Sequence, residues 1–310
     1  MILCCGEALI DMLPRQTPEG EAVFLPVSGG AVFNTAIALG RLGAPAGFLS
    51  GLSRDLFGQQ LRRSLDESRV DHSLAVEADR PTTLAFVTLV DGQARYAFYD
   101  ENTAGRMIRT EDLTAIDENG VDALFFGGIS LINEPAATTY EQLMLAAAAQ
   151  GLPVMIDPNI RANFISDEAR YRARLDRMIA ASTIVKVSDE DLEWLVGAGD
   201  LQDMARSLLD RGPALVIVTQ GAEGAWACTR RNAISEPSRK TQVVDTVGAG
   251  DTFNAGVLCA LYEAGQLSRE AINALDSEQL AACLRLGIEA AAITVSRAGA
   301  NPPWREELPK

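Results

Sequence analysis

Histidine is almost missing from this chain of 310 residues: His72 stands alone. That excludes His-cluster metal sites and leaves any Ser-His-Asp triad resting on a single residue. Basic charge is scarce too. Twenty-seven Lys and Arg face forty-two Asp and Glu, and the formal charge of −15 has the wrong sign for gripping nucleic acid or an anionic membrane. A locally held phosphate stays possible, since backbone N–H groups and helix ends bind anions without charged side chains. The five cysteines (Cys4, Cys5, Cys228, Cys259, Cys283) have no C-x-x-C spacing and read as buried free thiols of a reducing compartment. No apolar run is long enough for a membrane span. The longest charge-free stretch, Ala22 to Gly40, is interrupted by Pro26, Ser28, Gly29, Gly30 and Asn34. Glu7 comes too early for a signal peptide, so a soluble cytoplasmic protein is expected. Two nucleotide signatures are also lacking. G-x-x-x-x-G-K-[ST] occurs nowhere, and Phe253 stands where the dinucleotide fingerprint requires glycine.

What is present suits a globular chain with a sizeable core, 47% apolar and 22% charged. Short β-type runs alternate with helical patterns, which predicts an α/β fold with a parallel sheet wrapped by helices. Ile2–Cys5, Leu124–Phe126, Val154–Ile156, Ile184–Val187 and Leu215–Thr219 are the apolar runs, and Ala31 to Leu42 is a helix closed by Gly43. Two segments depart from this rhythm. Ile10–Val27 and Thr82–Tyr99 alternate like strands, the second around Asp91-Gly92, a strong hairpin signal. Such strands do not easily join a parallel sheet, so residues about 10–27 and 82–104 are expected to form a small β-lid over a cleft.

The most informative stretch is Asp245-Thr246-Val247-Gly248-Ala249-Gly250-Asp251-Thr252-Phe253-Asn254. Gln242–Val244 before it reads as a strand end. After it, Phe253, Gly256, Val257, Ala260, Leu261 and Ala264 recur at helical spacing. Gly248, Ala249 and Gly250 then open a helix, where free N–H groups and the positive dipole end point outward together. Small side chains let a phosphate approach that backbone, and Asp251 beside it, expected at a solvent-facing helix start, can take a proton from an attacking hydroxyl. Anion hole plus adjacent base is what phosphoryl transfer to an alcohol requires. The competing reading is an ordinary Gly-rich turn with a helix-starting carboxylate.

These residues resemble the C-terminal signature of the ribokinase-like (PfkB) carbohydrate kinases. Four further blocks resemble that family in order and spacing: Gly6-Glu7-Ala8-Leu9-Ile10-Asp11, Ser28-Gly29-Gly30 with Phe33-Asn34, Asp157-Pro158-Asn159-Ile160-Arg161, and Thr219-Gln220-Gly221-Ala222-Glu223-Gly224. The combination is most similar to the family's bacterial fructose-phosphorylating members. The resemblance implies one ribokinase-like domain over 1–310, a three-layer α/β/α arrangement with an eight- or nine-stranded, mostly parallel sheet and a lid. It implies Asp251 as base and Gly248, Ala249 and Gly250 as the hole for the γ-phosphoryl. Asp11, Gly29, Gly30 and Asn34 would hold the sugar. Arg161, Ser188, Thr219, Gly221, Gly224 and Gly250 would serve ATP. A monovalent cation such as K+ would fall on Asp245, Val247, Thr294, Arg297 and Gly299. Where relatives carry N-x-x-E this chain has Ser188-Asp189-Glu190-Asp191, so Mg2+ is still expected, assisted by Asp191 or Glu190.

Several of these residues have plainer readings. Asn34 could cap its helix, Asp11 could be a solvated lid carboxylate, Arg161 a surface ion-pairing residue, and Gly221 and Gly224 hairpin glycines. Asp100 and Glu101 stand where sugar-acid kinases of the family place an arginine, and Phe98 and Tyr99 could offer the ring an apolar surface or equally be lid core. A neutral ketohexose, D-fructose first, is therefore the expected substrate, phosphorylated on a primary hydroxyl, ahead of 2-keto-3-deoxygluconate or ribose. A non-catalytic sugar or nucleotide sensor on the same fold is the alternative from another class, disfavoured by the presence of Asp251. The expected partners are a small sugar and ATP, with no nucleic acid and no membrane, and a second copy of the chain could pair lid to lid.

Overall fold

A computed structural model describes residues 1–90, 93–113 and 120–309. Its centre is a nine-stranded sheet in which the first strand, β1 (Ile2–Cys5), lies between later ones. On one side of β1 come β10 (Ala123–Gly127), β11 (Val154–Asp157), β12 (Ile184–Ser188) and β13 (Leu215–Thr219), all parallel. The antiparallel pair β14 (Gly224–Cys228) and β15 (Ala233–Pro237) closes that edge. On the other side stand β4 (Ala46–Leu49) and β6 (Val70–Asp71). Two short strands, β5 (Gly51–Ser53) and β7 (Val76–Ala78), pair with each other apart from this sheet.

The sheet strands are uninterrupted apolar runs because both faces are covered. Side chains alternate across a strand, so the two faces can be read residue by residue. Ile2, Cys4, Phe125, Met155, Ile184 and Ile217 join one core with helices α1 (Ala31–Leu42), α2 (Leu56–Glu67), α7 (Ala249–Glu263), α8 (Arg269–Ala274) and α9 (Ser277–Val295). Leu3, Cys5, Phe126, Ile156, Val187 and Val218 join the opposite core, with α3 (Ala136–Ala149), α4 (Glu168–Ala181), α5 (Asp189–Val196) and α6 (Leu201–Leu209). The expected three layers are therefore observed. All five cysteines are buried free thiols. No helix among the described residues is long and apolar enough to cross a membrane.

Two backbone features set the position of α7. Gly256 meets Gly287 of α9 so closely that a Cβ would lie 2.6 Å from the Gly287 Cα, and the two helices cross in near backbone contact. Gly248, at φ +77°, turns the chain into the helix against Ala300.

The lid strands form their own sheet, in the order β3 (Ala22–Gly29), β2 (Leu9–Gln16), β8 (Leu84–Val90), β9 (Gln93–Tyr99). The two segments singled out by their alternation are thus one sheet, joined by parallel pairing of Ile10–Met12 with Leu84–Phe86. The Asp91-Gly92 turn lies outside the described residues. One expectation fails. Residues 242–244 form no strand; Val243 and Val244 are exposed, and the Val244 N–H donates to the Val295 carbonyl at 2.8 Å.

Candidate active site

Parallel strands end together, and ligands of such sheets bind at the carboxyl ends. Here Glu7 follows β1, Gly128 follows β10, and Asp157 ends β11; with Lys186 of β12 they line a cavity of about 360 Å³. The first turn of α7 closes it with Thr246 to Asp251, and α1 contributes Gly30, Ala31 and Asn34. The lid adds Asp11 and Phe98.

Asp251 is the pivot. It is buried in the first turn of α7, and the Asn34 amide donates to its Oδ2 at 2.9 Å. Asn34 does not cap its own helix. That task falls to Glu7, whose Oε1 accepts from the Ala31 N–H at 2.9 Å and whose Oε2 accepts from the Ser130 N–H at 3.2 Å. Gly30 must be glycine here: at φ +111° its Cβ would press on the Glu7 carbonyl. Burial pushes the Asp251 carboxyl up to about 7, helped by the nearby Asp157 and Glu7 and opposed by Asn34 and Lys186. A carboxyl poised there can accept a proton near neutral pH. Burial also raises the Glu7 carboxyl.

Behind the α7 turn lies a buried polar knot. Lys186 Nζ donates to Asp157 Oδ2 at 2.9 Å, and the Asn254 amide donates to the same oxygen at 2.7 Å. Both strand residues share the parity of Ile184 and Met155, which directs them to the α7 face of the sheet. The opposing wall carries Asp11, pushed up to about 6 by burial. Gly29 sits directly beneath it, where any Cβ would collide with the Asp11 carboxylate. Phe98 stacks edge-on against Phe164 with ring centroids 4.6 Å apart, and both line the cavity.

The expected site residues divide into three groups, apart from Gly29, which packs against Asp11 without lining the cavity. Asp11, Gly30, Asn34, Phe98, Arg161, Gly248, Ala249, Gly250 and Asp251 line one cavity. Ser188, Thr219, Gly221 and Gly224 lie outside it, at the neighbouring strand ends and the turn into β14. There Ser188 caps α5 through the Asp191 N–H, and Thr219 is in register with Ser188. The third group is the cation-loop set, of which Val247 lines the cavity as well. Asp245 accepts from the Val247 and Gly299 N–H groups at 3.1 and 2.9 Å, tying the two segments together. Thr294 bonds the Thr252 hydroxyl, and Arg297 pairs with Glu307.

Two expectations need correction. Asp251 does not face solvent at its helix start but is buried there. Asp100 does not face the sugar cavity; Arg106 holds one of its oxygens at 3.0 Å and Asn133 the other at 2.7 Å. Glu7, Lys186 and Phe164 line the cavity as well, although no sequence motif assigns them a role. A charge inside the apolar run Ile184–Val187 is the one signal that points to Lys186.

The chain is 51% identical to a fructokinase of Rhizobium leguminosarum bv. trifolii over 280 residues, 90% of this chain and 85% of the relative. Its fold superposes on a Xylella fastidiosa fructokinase with bound ATP at a TM-score of 0.88 and 30% identity, covering 99% of this chain and 94% of the other. An aminoimidazole riboside kinase from Salmonella enterica, complexed with its riboside and an ATP analogue, superposes at 0.81 and 26% identity, covering 99% and 96%. The pattern of the pfkB family carbohydrate kinases is matched over residues 1–307, and the chain, with its helix-borne carboxylate beside a glycine turn at the strand ends, belongs to that family.

Proposed function

We propose that this chain is an ATP-dependent fructokinase acting as one kinase domain over 1–310, with lid segments at about 10–27 and 82–104. It transfers the γ-phosphoryl group to a primary hydroxyl of D-fructose. The observation that carries the reading is the buried Asp251, held by Asn34 at the mouth of the Gly248–Gly250 turn inside one sugar-sized cavity. The substrate rests on the identity to the Rhizobium fructokinase and on the Asp11 carboxyl in the lid wall, which accepts sugar hydroxyls.

Asp251 takes the hydroxyl proton as the sugar oxygen forms its bond to the γ-phosphorus. The bond from that phosphorus to the β–γ bridging oxygen breaks, ADP leaves, and Asp251 returns its proton to solvent. Asn34 aims the carboxylate, and the N–H groups of the α7 turn receive the developing charge. Asp11, Gly29, Gly30 and Asn34 hold the sugar against Phe98. Arg161, Ser188, Thr219, Gly221 and Gly224 serve the nucleotide. Magnesium would be held mostly by substrate phosphates with few protein ligands, and Asp191 would serve it better than Glu190: it is buried and pushed up to about 6 by that burial and by the nearby charge of Asp157, whereas Glu190 is exposed. When bound there, magnesium would neutralise phosphate charge. The joined segments 245–247 and 294–299 suit a K+ ion held by backbone carbonyls, because the Asp245 and Arg297 side chains are already engaged. The lid's outer aromatic row, Phe24, Phe86 and Tyr99, fits a second copy of the chain.

A coupled assay for ADP against D-fructose, 2-keto-3-deoxygluconate, ribose and a riboside tests the reading. Fructose is expected to give the highest kcat/KM, dependent on magnesium. No sugar-dependent ADP would refute the kinase; a better sugar acid or riboside would refute the substrate.

A further inference from the structure

We propose that Lys186 is a catalytic residue of this transfer, its ammonium facing the γ-phosphoryl from the strand side while the α7 turn faces it from the helix side. The proposal rests on the kinase reading above. Lys186 is 5% exposed, on a strand whose neighbours Ile184, Val185 and Val187 are core. Burying an ammonium is costly unless it is paired, and an apolar residue at this parity would pack without that cost. Its place is therefore informative. Nζ lies 3.2 Å from where a Cβ on Gly250 would stand, so the charge borders the turn expected to cradle phosphate. Among the described residues it makes one hydrogen bond, to Asp157, and an ammonium has three donors. The remaining donors are available to a ligand in the cavity that Lys186 lines. Asn254, donating to the same Asp157 oxygen, keeps that carboxylate and hence the ammonium in place.

Phosphoryl transfer spreads charge over the three equatorial oxygens, and a fixed cation beside them stabilises the transition state. A second consequence follows from the same position. Of the charged groups around Asp251, Asp157 and Glu7 favour its protonated form and Lys186 favours its carboxylate. Lys186 thus helps keep the base ionised, and this coupling gives a readout that a packing role would not move.

The test uses Lys186→Met, Lys186→Arg and the double variant Lys186→Met/Asp157→Asn. Sugar affinity is measured by calorimetry, the Asp251 carboxyl titration by NMR in ligand-free protein, and kcat by ADP release. Lys186→Met is expected to bind fructose as the wild type does, to lose ~10²–10³-fold in kcat, and to titrate Asp251 at higher pH. Lys186→Arg keeps the charge and the wild-type titration. The double variant removes the buried pair together, so no unpaired carboxylate endangers the fold. It is expected to return the Asp251 titration toward wild type while kcat stays low. A near wild-type kcat in Lys186→Met or in the double variant would overturn the proposal, as would an Asp251 titration unmoved by Lys186→Met. A wild type that forms no ADP with any sugar removes the kinase reading, and the proposal with it.

Discussion

The cavity has two walls of different character. One is built from strand ends and the first turn of α7, with Asp157, Lys186 and Asp251 all buried between packed layers. The other is the lid, whose sheet leaves Phe24 46% and Tyr99 62% exposed. Both walls present a carboxylate, Asp251 from the floor and Asp11 from the lid, and burial raises both. The fixed wall sets the reacting groups in place through hydrogen bonds of 2.7 to 2.9 Å. The lid wall has fewer buried contacts to hold it, which suits recognition and closure. In the proposed reading the reacting groups sit on the packed wall, and the lid adds Asp11 and Phe98 to the sugar contacts that Gly30 and Asn34 make from that wall.

The largest effect should come from neutralising the floor. Asp251→Asn is expected to lower kcat by ~10²–10⁴-fold, the usual loss when a general base is removed. Its stability should move the other way. A carboxyl whose folded value is raised to about 7 binds its proton more tightly in the folded state. Wild-type stability is therefore full below the unfolded value of about 4 and falls as pH rises toward 7. At pH 8 the asparagine variant should melt higher than wild type, and at pH 4 the difference should shrink. A lower Tm at pH 8 would mean that the buried carboxylate stabilises the fold.

A smaller effect, of a different kind, is expected on the lid. Asp11→Ala should weaken fructose binding by about 10–100-fold, the value of a hydrogen bond to a charged group, with kcat changed far less. A kcat loss as deep as that of Asp251→Asn would erase the distinction between the walls. The smallest effect is conformational. Amide exchange in β2, β8 and β9 should slow when fructose is added, while β1, β10 and β11 stay as they were. Equal protection of the lid strands with and without sugar would mean a lid already closed.

Much of this fold and site is legible in the amino-acid sequence alone. Apolar runs locate the central strands because both sheet faces are buried, period-two alternation locates the lid strands because one face is open, and the Gly248–Asp251 block stands out by opening a helix. What is not legible depends on groups distant along the chain. Asp251 reads as an exposed helix start until α1 is packed against it, 217 positions away through Asn34. Glu7 reads as a strand-end charge until the N–H groups of Ala31 and Ser130 converge on it. Asp100 reads as a sugar-facing acid until Arg106 and Asn133 take both its oxygens. The 242–244 run looks like a strand, but its partner is the end of α9 rather than a sheet edge. Lys186 is a case between the two, because a lone charge within a buried strand calls for a reason even where its partner is unknown.

The pH dependence of kcat/KM for D-fructose tests the central claim most directly, since it reports the essential base in the free enzyme. If buried Asp251 is that base, activity is lost as pH falls and the acid limb has its midpoint at about 7. An acid limb near the ordinary aspartate value of about 4 would contradict it.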